Sequence, residues 1–177
     1  MKTTGFLHRP HPENIRAIPG AVFHFLARGA DTQGRHALMQ ITVQRGAEPP
    51  AHTHSHEDES YFIQQGRVRY HIGEQTVEAQ AGDYVHLPQG LPHSFEVLTD
   101  SAQVLMLISP AGLDEWFWDH SAPAPDGQPL PQPQGPPPAE AIAEFVRTLG
   151  DYGVQMLPPG AAIGSPVPAT QPELILH

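Results

Sequence analysis

Between Ala21 and Pro110 the apolar positions fall in short runs, each only a few residues long and each closed by Gly, Pro or Asp. The runs are AVFHFLARG, ALMQITVQRG, SYFIQQG, RVRYHIG, TVEAQAG, YVHLPQG, HSFEVLTD and AQVLMLISP. They are rich in β-branched and aromatic residues and bounded by turn formers, which predicts strands. In Arg67-Val68-Arg69-Tyr70-His71-Ile72 polar and apolar residues alternate, so one face meets a core and the other solvent, and Gly73-Glu74 supplies the turn. Many short strands at this spacing predict an all-β sandwich or barrel.

The pattern changes after Pro110. The stretch LDEWFWD, Leu113 to Asp119, predicts one or two helical turns that press Trp116 and Phe117 onto an apolar opening or edge of the barrel. Residues 121–138 hold eight prolines in eighteen residues, which excludes helix and central strand and predicts an extended surface segment. Ile142, Phe145, Val146 and Leu149 then recur at helical spacing, with Pro138 leading in and Gly150 leading out. This predicts an amphipathic helix over 139–149 whose stripe is a docking face. The resulting organisation is a lead segment 1–20, a barrel 21–112 and an extension 113–177 made of short helix, Pro-rich linker, second helix and irregular tail.

Composition narrows the function. At 177 residues the chain is one domain plus an extension. Nine Lys and Arg stand against nineteen Asp and Glu, a formal charge of -10, and no basic run occurs, so neither nucleic acid nor an anionic membrane is an expected partner. The absence of cysteine leaves only nitrogen and oxygen to bind a metal. The start MKTTGFLHRP has no apolar signal core and no stretch reaches a membrane-spanning length, so the expectation is a soluble, cytoplasmic protein.

The stretch His52-Thr53-His54-Ser55-His56-Glu57-Asp58-Glu59 packs three imidazoles and three carboxylates into eight residues. It is either a solvated acidic loop or part of a metal site. In a strand, His52 and His54 project to one face and make half of a tetrahedral or octahedral site. Glu59, at the mouth of the next run, could swing back toward the pair, and His93 is a candidate from a neighbouring strand. Glu57 and Asp58 are expected in solvent, and His86 on a strand surface or packed.

These positions carry a family resemblance. Gly46, five residues, His52-x-His54, four residues, Glu59, six residues, Gly66 is similar to the first cupin motif. Gly82, five residues, Pro88-x-Gly90, two residues, His93 resembles the second, with Val97 where the pattern often has Asn. The two occur in order, fifteen residues apart, and the resemblance spans about Gly20 to Gly112. It implies a double-stranded β-helix of the jelly-roll type in which His52, His54, Glu59 and His93 bind one divalent transition metal, whether Ni, Co, Mn, Fe or Zn. His56 is then expected at the mouth or just behind the ligands.

Four protein ligands leave one or two positions open on such a metal, and Glu59 can serve as ligand and general base together. Met39, Ile41, Phe62, Phe95, Leu105 and Leu107 are the expected inward walls, with Trp116 and Phe117 closing one end. Such walls suit an apolar or aromatic substrate. No Lys or Arg pair near the motifs offers a phosphate clamp. PPAHTHSHEDE, SPAGLDEWF and LGDYGVQMLPP look similar to single-domain quercetinase-like cupins. That implies a flavonol 2,4-dioxygenase (quercetin 2,3-dioxygenase-like) that opens the heterocycle with O2 and releases carbon monoxide, with Glu59 as base for the 3-hydroxyl. The alternatives are an oxygen-independent metal-cupin isomerase or decarboxylase and a non-catalytic cupin that binds a small molecule. A homodimer is expected, with the N-terminal strand as exchange element, because small jelly rolls have edges to cover.

Overall fold

A computed structural model describes residues 5–158, apart from 10, 134, 136 and 137, together with residue 163. Part of the predicted linker and nearly all of the tail after residue 158 lie outside the described residues. The strands are β1 (Ile15–Ile18), β2 (Ala21–Ala27), β3 (Ala37–Gln44), β4 (His52–His54), β5 (Asp58–Gln65), β6 (Arg67–Ile72), β7 (Gln75–Gln80), β8 (Tyr84–Leu87), β9 (His93–Val97), β10 (Ser101–Ser109), β11 (Ala122–Pro123) and β12 (Val154–Met156). The helices are α1 (Gly29–Thr32), α2 (Leu113–Asp119) and α3 (Ala139–Asp151). They build two sheets, ordered β11-β1-β2-β3-β10-β5-β8 and β12-β4-β9-β6-β7.

Strand alternation sends one face of each sheet into a shared core. On β3, Ala37, Met39, Ile41 and Val43 are buried while the residues between them are not. They meet Val68, Tyr70 and Val97 of the other sheet, so the two layers close on each other as a jelly-roll barrel. Side chains of the size of Met39, Ile41 or Val43 contribute about 1.5–3 kcal/mol each on full burial. Gly66, between β5 and β6, shows how tight the corners are. Its φ is +84°, and a Cβ there would stand 2.6 Å from the Ser101 carbonyl oxygen, so only glycine fits.

Both flanking segments add strands beyond residues 21–112. β1 pairs with β2 through Arg16↔Phe23 and Ala17↔Val22, and β11, inside the Pro-rich segment, pairs with β1. That segment runs along the barrel, with Leu130 exchanging backbone hydrogen bonds with Ile18 and Gly20. The tail, expected to be irregular, forms β12 against β4, with Val154↔His54 and Met156↔His52. The physical reason is that β4 has β9 on one side only, so its other edge needs partners, and Val154 carries an apolar side chain into the core.

α2 forms as predicted, with Leu113 and Trp116 buried. α3 runs two residues past the predicted end. Its apolar stripe is covered at Leu149, whereas Ile142 is 47 % exposed and Val146 41 %. Trp116 holds the two helices together by stacking edge-on against Phe145 at 5.5 Å and donating from Nε1 to Thr148 Oγ1 at 3.1 Å. Among the described residues no helix is long and apolar enough to cross a membrane.

Candidate metal centre

The two histidines of β4 point the same way because they are two apart on one strand. β9 brings His93 directly opposite His52, and β5 delivers Glu59 from the other sheet. The result is a group of four buried residues, His52, His54, Glu59 and His93, each with a ligand atom within 4.8 Å of all the others. Glu59 Oε1 lies 3.7 Å from His54 Nε2, and Glu59 Oε2 lies 3.7 Å from His93 Nε2.

The far side of each ring explains why the near side faces inward. His52 Nδ1 is 2.8 Å from the Pro50 carbonyl, His93 Nδ1 is 3.0 Å from the Leu91 carbonyl, and His54 Nδ1 is 2.6 Å from Glu57 Oε1. Each partner only accepts, so each Nδ1 must be the N–H donor, and a neutral ring then turns its bare Nε2 to the centre. Nε2 of His54 and of His93 is buried with no hydrogen-bond partner. Orphaned buried nitrogens are costly unless something absent from the protein completes them. A divalent cation would supply that completion, and three imidazoles with one carboxylate suit a first-row transition metal.

Burial first, and then the neighbouring imidazolium charge of His54, pushes the His52 pKa down to about 4. Burial, followed by His52 and His54, pushes His93 down to about 3. His54 differs. Burial alone would lower it, but Glu59 and the hydrogen bond to Glu57 outweigh that and raise it above the ordinary value. Burial likewise raises Glu59, against the opposing pull of His54 and of Tyr61, which donates to Oε2 at 2.9 Å. Burial thus favours the neutral form of His52 and His93, whereas the two carboxylates beside His54 draw a proton toward it.

A metal that takes His54 Nε2 competes with that proton, so its apparent affinity is expected to rise with pH, by about tenfold per pH unit for each proton displaced, and to level off only once the pH passes the raised His54 value. Competition titrations at several pH values read the slope directly. A slope of zero through neutrality would show that His54 holds no such proton.

The centre opens into a cavity of about 290 Å³. Ile41 and Phe95 are in its wall, as are Trp116 and Phe117 of α2. Four other expected wall residues, Met39, Phe62, Leu105 and Leu107, are placed elsewhere. Met39 faces inward but is fully buried in core packing outside the cavity wall. Phe62 is 41 % exposed, and Leu107 lies on the outer face of β10, because the inward set there is Val104, Met106 and Ile108. Leu105 shares that outer face and pairs across to Phe62. The run VLMLI is apolar at every position, so its alternation cannot be read from residue type.

Tyr61 and Tyr70, neither of them expected from the sequence, complete the wall beside the ligands. Tyr61 could have been found by parity, since it lies two residues from Glu59 on the same strand. His56 is not behind the ligands: β4 ends at His54, the chain turns, and His56 is exposed beside Gly153. The place behind the ligands belongs to Glu57, which is 3 % exposed rather than solvated. Asp58 is half-buried and accepts from the Gln89 amide at 2.7 Å. Val97, standing where the motif often has Asn, has its amide taken by Glu48 Oε1 at 2.8 Å.

Fold and site together define a jelly-roll barrel with a buried centre of three histidines and one glutamate. The profile of the cupin domain matches residues 39–109, within which all four of these residues lie. An uncharacterized protein of Streptomyces coelicolor is 31 % identical over 94 residues, covering 53 % of this chain and 84 % of its own. Among solved structures, KdgF from Halomonas sp. superposes with a TM-score of 0.56 at 20 % identity, over 63 % of this chain and 99 % of that one. A predicted oxalate decarboxylase from Thermotoga maritima gives 0.53 at 19 %, over 59 % and 99 %. The chain belongs to the cupin superfamily.

Proposed function

We propose that the protein is a metal-dependent dioxygenase that cleaves a flavonol-like, quercetin-type or other enolisable aromatic substrate with O2. The observation that carries this reading is the cavity wall. Among the described residues, and apart from the four ligands, its sole charged side chain is Glu48, which is already engaged with the Gly46 and Val97 amides. None of the described Lys or Arg side chains lines it. Phe23, Tyr70, Phe95, Trp116, Phe117 and Phe145 offer rings to a flat apolar molecule instead.

His52, His54, Glu59 and His93 would hold one divalent transition metal, which when bound lowers the pKa of a substrate hydroxyl and brings dioxygen beside the ring. Glu59 accepts the hydroxyl proton, and its burial makes it a stronger base than an exposed carboxylate. Tyr61 Oη holds Glu59 Oε2, which fixes the carboxylate's orientation as the proton arrives. Trp116, Phe117 and Phe145 keep bulk water from the ring. Both oxygen atoms enter the product as the heterocycle opens and carbon monoxide leaves.

For an oxygen-independent isomerase or decarboxylase of a small acid, the metal itself would be the one cation to meet the carboxylate, since the described wall residues add no Lys or Arg, and the apolar lining favours the aromatic substrate instead. The test is oxygen uptake with quercetin by metal-free protein reloaded in turn with nickel, cobalt, manganese, iron and zinc. Uptake that tracks the metal is expected. Stoichiometric metal binding without uptake would sink the dioxygenase reading, and quercetin binding without consumption would mark a non-catalytic cupin.

A further inference from the structure

We infer that Glu57 is a positioning residue that orients His54 as a metal ligand and supplies the second negative charge of the centre. The inference rests on the metal reading of the four-residue cluster and on no choice of substrate. His52 and His93 each lean on the backbone carbonyl two residues before them, Pro50 and Leu91, which lie in loops ahead of β4 and β9 where those carbonyls are spare. His54 has no such option, because the residue two before it is His52, inside β4 between β12 and β9. Its ring therefore needs a side chain, and the turn after β4 folds Glu57 back beneath it at 2.6 Å.

Both partners are 3 % exposed, and among the described residues Glu57 forms an ion pair with no Arg or Lys. Among the described residues its one ionic partner is the His54 imidazole, and a carboxylate this buried needs a full positive charge nearby. It is accounted for if the charge it balances arrives with the metal. Glu57 and Glu59 together match a divalent ion, and a carboxylate behind an imidazole strengthens that ring as a donor more than a neutral carbonyl does. A glutamine in its place could instead donate to Nδ1, and that would turn a protonated Nε2 toward the metal.

The experiment compares wild type with Glu57→Gln by titrating Co2+ against a chelator and recording the Co2+ visible absorption. The variant is expected to bind about 10–100-fold more weakly, with displaced absorption bands, while its metal-free melting temperature stays close to wild type. A merely structural glutamate would shift the melting temperature and leave the bands unmoved. Wild-type affinity and spectrum in the variant would overturn the inference alone. Failure of the wild type to take up one Co2+ would overturn the metal reading and this inference with it. If the glutamine variant does not fold, Glu57→Asp, which keeps the charge but shortens the reach, is expected to lose a smaller factor, and undiminished Co2+ binding there would overturn the inference.

Discussion

His93→Ala is expected to abolish metal-dependent stabilisation while leaving the metal-free protein folded. The wild type should gain about 2.7 kcal/mol of stability when free metal stands at a hundred times its dissociation constant, and the variant should gain nothing at that concentration. The reason lies in what His93 does without metal. Its Nε2 is buried and unpartnered, so the neutral ring is held in the core at a desolvation cost. Truncation relieves that cost even as it opens a small void, so the usual penalty of a core deletion is offset. Thermal melts with and without added Ni2+, Co2+ or Zn2+ check this. A metal-dependent rise that persists in the variant would place the ion somewhere other than the four-residue cluster.

Trp116→Ala is expected to destabilise the protein by about 3–5 kcal/mol, the range for losing a large buried aromatic side chain. Trp116 is 5 % exposed, stacks on His120 at 4.8 Å, meets Phe117 and Phe145 edge-on and holds Thr148 of α3 by its indole N–H. It thus joins α2 to α3 beside the cavity. Phe145→Ala, at a position 37 % exposed, should cost less than half as much. Urea unfolding measures both, and protease cleavage in the linker before α3 should accelerate in the Trp116 variant. Equal losses in the two variants would show that α3 is held by its own stripe and not through Trp116.

The two residues differ in how legible they are in the sequence. His93 is selected by spacing alone, because the run from Gly82 through Pro88 and Gly90 marks the turn that sets the strand after it. Trp116 could be assigned only to an apolar surface at one end of the barrel. That it bridges to Thr148, 32 positions on, depends on how the Pro-rich segment lays the chain along β1 and returns α3 to the mouth.

The same division holds within the site. Period-two alternation and turn residues determined the strands, the all-β class and the shared direction of His52 and His54, since these depend only on neighbours along the chain. The sequence alone could not choose between the two faces of Val104-Leu105-Met106-Leu107-Ile108, because both are apolar and only pairing with β3 and β5 decides which one is inward. Glu57 looked like one more acid in a charged loop. Tertiary structure decided otherwise: β4 stops at His54, the turn brings residue 57 back under the ring, and β12 arrives from the far end of the chain to close the edge that residue 54 lines. A buried carboxylate is recognised by what surrounds it, and what surrounds Glu57 is assembled by contacts far apart in the chain.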